Sequence, residues 1–494
     1  MTESARNVLF VVLDTVRKDH LTPYGYGEPT TPVLDAFAEE AVVYEEAVAP
    51  APWTLPVHAS MFTGRYPSEH GASQERPYLE ESTGTLAEAM SAAGYRTACY
   101  SSNAWITPYT RLTVGFDAQD NFFEVMPGDL LSGTLADLWQ RVNDSDQLRA
   151  VANRLVELGN DIHEYFAGAD SADSKTPDVV DRAIEFTDGE EGWFAFLNLM
   201  DAHLPVYPPE EYREQFAPGV DPDTVCQNSK EYNSGARDVT ETEFTDIRGL
   251  YDAEIRHMDA QLQRLFDHLK TTDQWEETLV VVCADHGELH GEHGLYGHEF
   301  GIYDPLVNVP LLVKAPTLDP GRNEDTVELQ DLYHTVLDFA DVPAVEGGRE
   351  PESTRSLLSV DYRDFADADY GFVEYHRPVV ELKQLETKAN EAGIDLSTDS
   401  RFYSRMRAAR RPDAKYIRNE RIADEAYRLD RDPGETENLA GGDDEQLAAV
   451  ETRLREFERD IGETWDDDDG PGEDVLEEMD ETTKERLQDL GYVE

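Results

Sequence analysis

Apolar runs and amphipathic stretches alternate along most of this chain. Five short runs, at residues 8–13, 97–101, 193–199, 278–283 and 309–313, are almost continuously apolar. Strands buried on both faces read this way, because helices cover both sides of a parallel sheet. Between the runs, helical periodicity predicts helices over residues 32–40, 58–63, 85–93, 176–187, 246–269 and 329–339. That order predicts an α/β fold with a mostly parallel central sheet flanked by helices.

The pattern changes in three places. From 128 to 175 the chain is polar and rich in Asp and Ser, with a helical stretch at 147–158, and reads as an insertion. Gly347-Gly348-Arg349-Glu350-Pro351 marks a break, after which shorter extended pieces at 370–375 and 415–418 predict a smaller C-terminal α+β subdomain. Asp466 to Asp469 and Gly470-Pro471-Gly472 read as a solvated linker before an amphipathic helix at 481–490. Single cores rarely grow much beyond ~300 residues. The 494 residues are therefore divided into a main α/β domain at 1–345, a smaller subdomain at 346–464 and a tail at 465–494.

Charge narrows the classes of partner. The 104 acidic and 42 basic residues give a net charge of −62, which repels nucleic acid and anionic membranes. Arginine outnumbers lysine and the acids are spread throughout, as on a halophilic protein adapted to concentrated salt, where self-repulsion is screened. A hydrophobic content of 39% argues for a core and against an acidic disordered chain. The apolar run at 7–14 is too short to span a membrane and lacks a signal-peptide pattern. Cys99, Cys226 and Cys283 make neither a metal spacing nor a disulfide framework. A reduced, cytoplasmic protein is expected.

In open α/β sheets, ligands gather beyond the carboxyl ends of the strands. Asp14 ends the first run, Asp285-His286-Gly287 follows the run at 278–283, and Thr54 precedes an expected helix start at 55–59. Two carboxylates, an imidazole and a hydroxyl suit one divalent metal ion, which would acidify the hydroxyl and neutralise the oxyanion of a bound ester. Calcium, magnesium, manganese and zinc all remain open. Taken singly, Asp14 or Asp285 is also readable as a strand-end cap. The loop Gly287 to His298 packs histidines among glycines, a composition that a ligand would order. Within it His290 reads as solvent-exposed, His293 as a structural loop residue and His298 as catalytic. His58 reads either as a contact to the substrate anion or as a hydrogen-bond partner of a neighbouring carbonyl.

Several motifs, in order, resemble the sulfatase family of the alkaline phosphatase superfamily. They are Asn7 to Asp14, Pro52 to Gly71 with Thr63-Gly64-Arg65, Gly94-Tyr95-Arg96-Thr97, Asp201-Ala202-His203-Leu204-Pro205, Tyr251 to Asp259, Ala284 to His298, Val309-Pro310-Leu311, Lys415-Tyr416-Ile417 and Tyr427 to Leu439. The resemblance implies that Asp14, Asp285, His286 and Thr54 hold the metal. It implies too that His203 and Asn103 bind the ester oxygens, and that His298, or His58 in the same way, protonates the leaving group or contacts the anion.

Departures from the family pattern are equally informative. Thr54 stands where the family has the Cys or Ser that becomes formylglycine, so no formylglycine is expected. Asp14-Thr15 replaces an Asp-Asp pair, Ser101-Ser102-Asn103-Ala104 replaces a Gly-Lys-Trp-His run, and His298 replaces a lysine. An unmodified Thr nucleophile resembles instead the phosphoglycerol transferase branch, and the single early aspartate resembles phosphonate monoesterases. A threonine ester lacks the second hydroxyl with which a formylglycine hydrate expels sulfate, so direct displacement is required, and this suits phosphorus. The expectation is a metal-dependent hydrolase of sulfate or phosphate esters acting on a small anionic ester or glycan. The alternatives are a phospho-group transferase for surface glycans and a glycan-binding pseudoenzyme.

Overall fold

A computed structural model describes residues 6–122, 174–189, 191–360, 362 and 369–462. Among the described residues ten strands precede the break near residue 347: β1 Asn7–Leu13, β2 Val42–Val48, β3 Arg96–Ser101, β4 Ala118–Asp120, β5 Trp193–Leu199, β6 Thr278–Cys283, β7 Leu289–His290, β8 Tyr296–Gly297, β9 Asn308–Lys314 and β10 Gly321–Glu328. Eight form one sheet in the order β10-β2-β9-β6-β1-β5-β3-β4, while β7 and β8 pair separately. Only β9 runs antiparallel to its neighbours, β6 and β2. This is the expected mostly parallel α/β sheet.

Register aligns the chemistry. In the sheet centre Val12 lies level with Asn198 of β5 and with Cys283 of β6. The residues just beyond these strands therefore emerge together at one edge. Asp14 follows β1, its amide held by the Leu199 carbonyl at 2.9 Å, and Asp285 follows β6. All seven residues of β1 are buried, as are all seven of β5. Each large aliphatic side chain so buried contributes about 1.5–3 kcal/mol, which anchors the scaffold beneath the site.

The helix bearing Thr54 begins four residues earlier than periodicity predicted, over Thr54–Thr63, and is buried along its whole length. Burial on every face removes the amphipathic signal that would mark its start. It ends at Gly64, whose φ of 67° is left-handed and where a Cβ would stand 2.7 Å from the Tyr333 ring. The long helix also starts earlier, Glu241–Thr271, with the Thr240 side chain accepting from Glu243 N.

Four further strands, β11 Gly371–Tyr375, β12 Met406–Arg411, β13 Ala414–Asn419 and β14 Glu425–Tyr427, form an antiparallel sheet in sequence order. The helix Glu445–Ile461 packs on it, stacking Phe457 on Phe372 at 4.3 Å between ring centroids. These are the strands and helix of the smaller C-terminal α+β part.

Strands β2, β4, β7, β8, β10, β12 and β14 were not anticipated. Edge strand β10 exposes Arg322, Glu324 and Asp325, so it has no apolar run to read. The insertion with its stretch at 147–158, the linker at 466–472 and the helix at 481–490 lie outside the described residues. Among the described residues no helix is long and apolar enough to cross a membrane, and all three cysteines are free and buried.

Candidate active site

Thr54 is the first residue of its helix and is 3% exposed. Its Oγ1 stands 3.4 Å from His286 Nε2 and accepts from Asn103 Nδ2 at 3.3 Å. The Asn103 amide also donates to Asp14 Oδ2 at 2.8 Å, and its Oδ1 accepts from Trp105 N. Asn198 Nδ2 donates to the same Asp14 oxygen at 3.0 Å. Asp285 Oδ1 accepts from the backbone amides of His286 and Thr15, which fixes its carboxylate plane. Trp53, at the N-cap, gives the helix no side-chain cap, so first-turn N–H groups and the helix dipole face the site.

Asp14, Asp285 and His286 offer ligand atoms that all lie within 4.8 Å of one another, and all three residues are buried. Asp14 Oδ1 has no hydrogen-bond partner. Asp285 Oδ2 meets no well-placed nitrogen donor: His286 Nε2 is at 3.4 Å and His58 Nδ1 at 3.7 Å, and the Thr54 hydroxyl faces the same carboxyl. Burial, and for Asp14 also the charge of Asp285, pushes Asp14 up to about 6, while burial pushes Asp285 up to about 7. Burial lowers His286 and His203 to about 4, which leaves both imidazoles neutral at neutral pH. Two buried carboxylates with unmet oxygens beside a neutral imidazole are a donor set that fits a divalent cation.

His203 and His298 stand above this cluster. Their ring centroids are 5.3 Å apart, and His298 lies 4.5 Å from His286. His203 Nδ1 is bonded to the Leu204 carbonyl, and His298 Nδ1 to Glu288 Oε2 at 3.1 Å. His58 is fully buried with Nδ1 on the Thr54 carbonyl at 2.9 Å, the neighbouring-carbonyl alternative. Asn103 is 1% exposed and spends its amide on Asp14 and Thr54. His290 is buried at 3%, against Tyr251 and His20, which corrects the solvent-exposed expectation; apolar and aromatic neighbours far away in sequence enclose it. His293 stacks on Tyr303 at 3.5 Å.

Sequence reasoning missed several neighbours. Asn198 was readable only as the lone polar residue in an apolar strand. Lys230 pairs with Glu299 beside His298, and a small pocket next to Thr54 is walled by Trp53, Trp105, Gln74 and Glu381. Nothing in local sequence joins Gln74 to Glu381.

A buried carboxylate-histidine metal cluster at the carboxyl edge of a mostly parallel sheet, with a hydroxyl at a helix N-terminus, defines a metal-dependent ester hydrolase. The chain belongs to the sulfatase family, whose profile, described as "Sulfatase", matches residues 6–342. It is 26% identical to the multifunctional alkaline phosphatase superfamily protein PehA of Trinickia caryophylli, over 88% of this chain and 91% of the relative. It is 23% identical to an arylsulfatase of Clostridium perfringens, over 80% of this chain and 88% of the relative. Its fold is similar to that of a phosphonate monoester hydrolase of Agrobacterium radiobacter, with a TM-score of 0.65, 20% identity and coverage of 92% and 95% of the two chains.

Proposed function

We propose that this enzyme hydrolyses phosphate or sulfate esters with unmodified Thr54 as nucleophile, and that phosphorus is preferred. One observation carries the reading. Thr54 Oγ1 is held between Asn103 Nδ2 at 3.3 Å and His286 Nε2 at 3.4 Å, beside two carboxylates with unmet oxygens. A divalent cation held by Asp14, Asp285, His286 and Thr54 would acidify that hydroxyl and offset the charge of the ester oxyanion.

The remaining work falls to side chains. Asn103 and Asn198 fix Asp14, and His58 fixes the Thr54 carbonyl, so both ends of the nucleophile are positioned. His203 contacts the ester oxygens. Thr54 Oγ1 attacks phosphorus as its proton passes to His298, which burial lowers to about 4 and so keeps neutral, and His298 hands that proton to the leaving alcohol oxygen as its bond to phosphorus breaks. Water then adds to phosphorus, the bond to Oγ1 breaks, and a proton from the water returns to Thr54. The sum is ester plus water giving alcohol plus phosphate. In this reading residues 1–345 carry the chemistry, and Pro378 and Glu381 from the 346–464 part complete a pocket wall. The net charge of −62 suits turnover in concentrated salt.

The test is a metal-supplemented assay in high salt on aryl phosphate, bis-aryl phosphate, aryl phosphonate and aryl sulfate. Turnover of phosphorus esters that is lost in Thr54→Ala supports the reading. Unchanged turnover in Thr54→Ala removes the nucleophile, and cleavage of sulfate alone removes the preference for phosphorus.

A further inference from the structure

The long helix Glu241–Thr271 carries a tyrosine that the proposed reaction does not use. Tyr251 is 1% exposed, and its ring lies edge to face against His20 and His290, at 5.1 and 4.8 Å between centroids. Its hydroxyl is spent on the turn that follows β1. It donates to the Thr15 carbonyl at 2.7 Å and accepts from the Arg17 amide at 2.8 Å. Burial pushes the phenol well above its ordinary 10, so the donated proton is held at any working pH.

That turn is strained. Val16 N closes it on the Leu13 carbonyl at 3.3 Å, with Asp14 and Thr15 at its two central positions. Thr15 has a φ of 58°, in the left-handed region where turns place Gly or Asn and where a β-branched residue is an outlier. Its own hydroxyl bonds back to the Asp14 carbonyl at 2.7 Å, and its amide donates to Asp285 Oδ1 at 3.3 Å. The conformation of one residue therefore sets the direction of two carboxylates that follow different strands.

Arg17 carries the hold to the third ligand. Its backbone N–H is bonded to Tyr251, while its buried guanidinium donates to the Glu288 carbonyl at 3.1 Å and to Glu292 Oε1 at 2.7 Å. Arg17 Cγ would stand 3.1 Å from a Cβ at Gly287, so its stem packs on the residue after His286. One side chain thus ties the turn after β1 to the turn that bears Asp285 and His286.

We infer that Tyr251 is the positioning residue of the cation site: its hydroxyl holds Thr15 left-handed and Arg17 in place, and so preorganises Asp14, Asp285 and His286 for one divalent ion. Tyr251 touches neither ion nor substrate and acts through the turn, as partners behind metal ligands do. The inference rests on the reading that these three residues hold a cation, and it is independent of Thr54 as nucleophile.

Cation affinity tests it. Calcium, magnesium, manganese and zinc are each titrated calorimetrically into the full chain at fixed high salt. The component that disappears in Asp285→Asn is the site, which separates it from diffuse binding to a chain of net charge −62. Tyr251→Phe keeps the ring and removes the hydroxyl. It should bind the tightest of these ions ~10-fold more weakly, the lower end of what such partners contribute. Glycine adopts positive φ without strain, so in a Thr15→Gly background the same change should cost less than ~3-fold. A tyrosine that merely fills space would lower the melting temperature of the cation-free chain and leave no such difference between backgrounds. If Tyr251→Phe does not fold, the test passes to Arg17→Gln, which keeps the backbone N–H on Tyr251, cuts the tie to Glu288, and should weaken the same component ~10-fold.

An affinity within ~2-fold of wild type in the folded variant, well short of that range, overturns the inference. An equal loss with and without Thr15→Gly overturns it too. Either result, with a wild type that binds the ion, removes the clamp and leaves the cation site standing. A wild type with no component lost in Asp285→Asn removes the cation site itself, and the inference with it.

Discussion

Replacing Lys230 by Met tests whether the wall beside His298 depends on a buried ion pair. Lys230 and Glu299 are 8% and 4% exposed, and without the ammonium the carboxylate keeps the Ser229 hydroxyl, at 3.1 Å, as its side-chain donor. Burial alone would push Glu299 up, but Lys230, followed by His298, holds it down at about 2 against an ordinary value of 4.5. At about 1.36 kcal/mol per pH unit this difference is worth ~3 kcal/mol. Removing one partner of a buried pair costs about 3–5 kcal/mol, which is of the same order. Because the folded pKa is depressed, the stabilisation is present above the unfolded value near 4.5 and is lost as pH falls through about 2. Urea unfolding at fixed salt should therefore show Lys230→Met destabilised by ~3 kcal/mol at pH 7, with the gap narrowing toward acid. Adding Glu299→Gln, which leaves no charge, should recover most of the loss. A cost below about 1 kcal/mol, the range of an exposed pair, would refute the reasoning.

Other consequences are equally direct. A divalent cation at ~100 times its Kd should stabilise the wild type by about 2.7 kcal/mol. Asp14→Asn and Asp285→Asn should lose that shift in a thermal melt; an undiminished shift would put the ion elsewhere. His298→Gln should lower kcat by ~10²-fold for an alkyl ester and by less for a 4-nitrophenyl ester, whose leaving group needs no proton. Equal losses would exclude His298 as proton donor. Gly287→Ala places a Cβ 1.9 Å from the Pro305 carbonyl, so the turn after His286 must shift. The cation-dependent melting shift should weaken with it, and a wild-type shift would show that the turn does not position the ligands.

The central strands were legible because burial on both faces leaves only apolar residues. β10 was not, because its outer half is charged, and β12 was not because Met406–Arg411 reads as surface. Its arginines are buried by partners far away in sequence: Arg410 meets Asp304 and Glu46, and Arg407 meets Glu374. The metal cluster was legible because each member sits at a strand end or helix start with a recognisable spacing. Asn103 was read as a substrate contact, and that its side chain also donates to Asp14 and Thr54 is something spacing does not encode. The pocket beside Thr54 was invisible for the same reason, since Trp53, Gln74, Trp105 and Glu381 meet only after folding.

The central claim is that Thr54, as threonine, takes the transferred group. Mass spectrometry of the Thr54 peptide after acid quench during steady-state turnover of an aryl phosphate tests it most directly. The account predicts an unmodified threonine in the resting enzyme and one added phosphoryl group on Thr54 in the quenched sample, absent from Thr54→Ala. A quenched wild-type enzyme with no adduct, alongside a Thr54→Ala variant that still turns over, would contradict it.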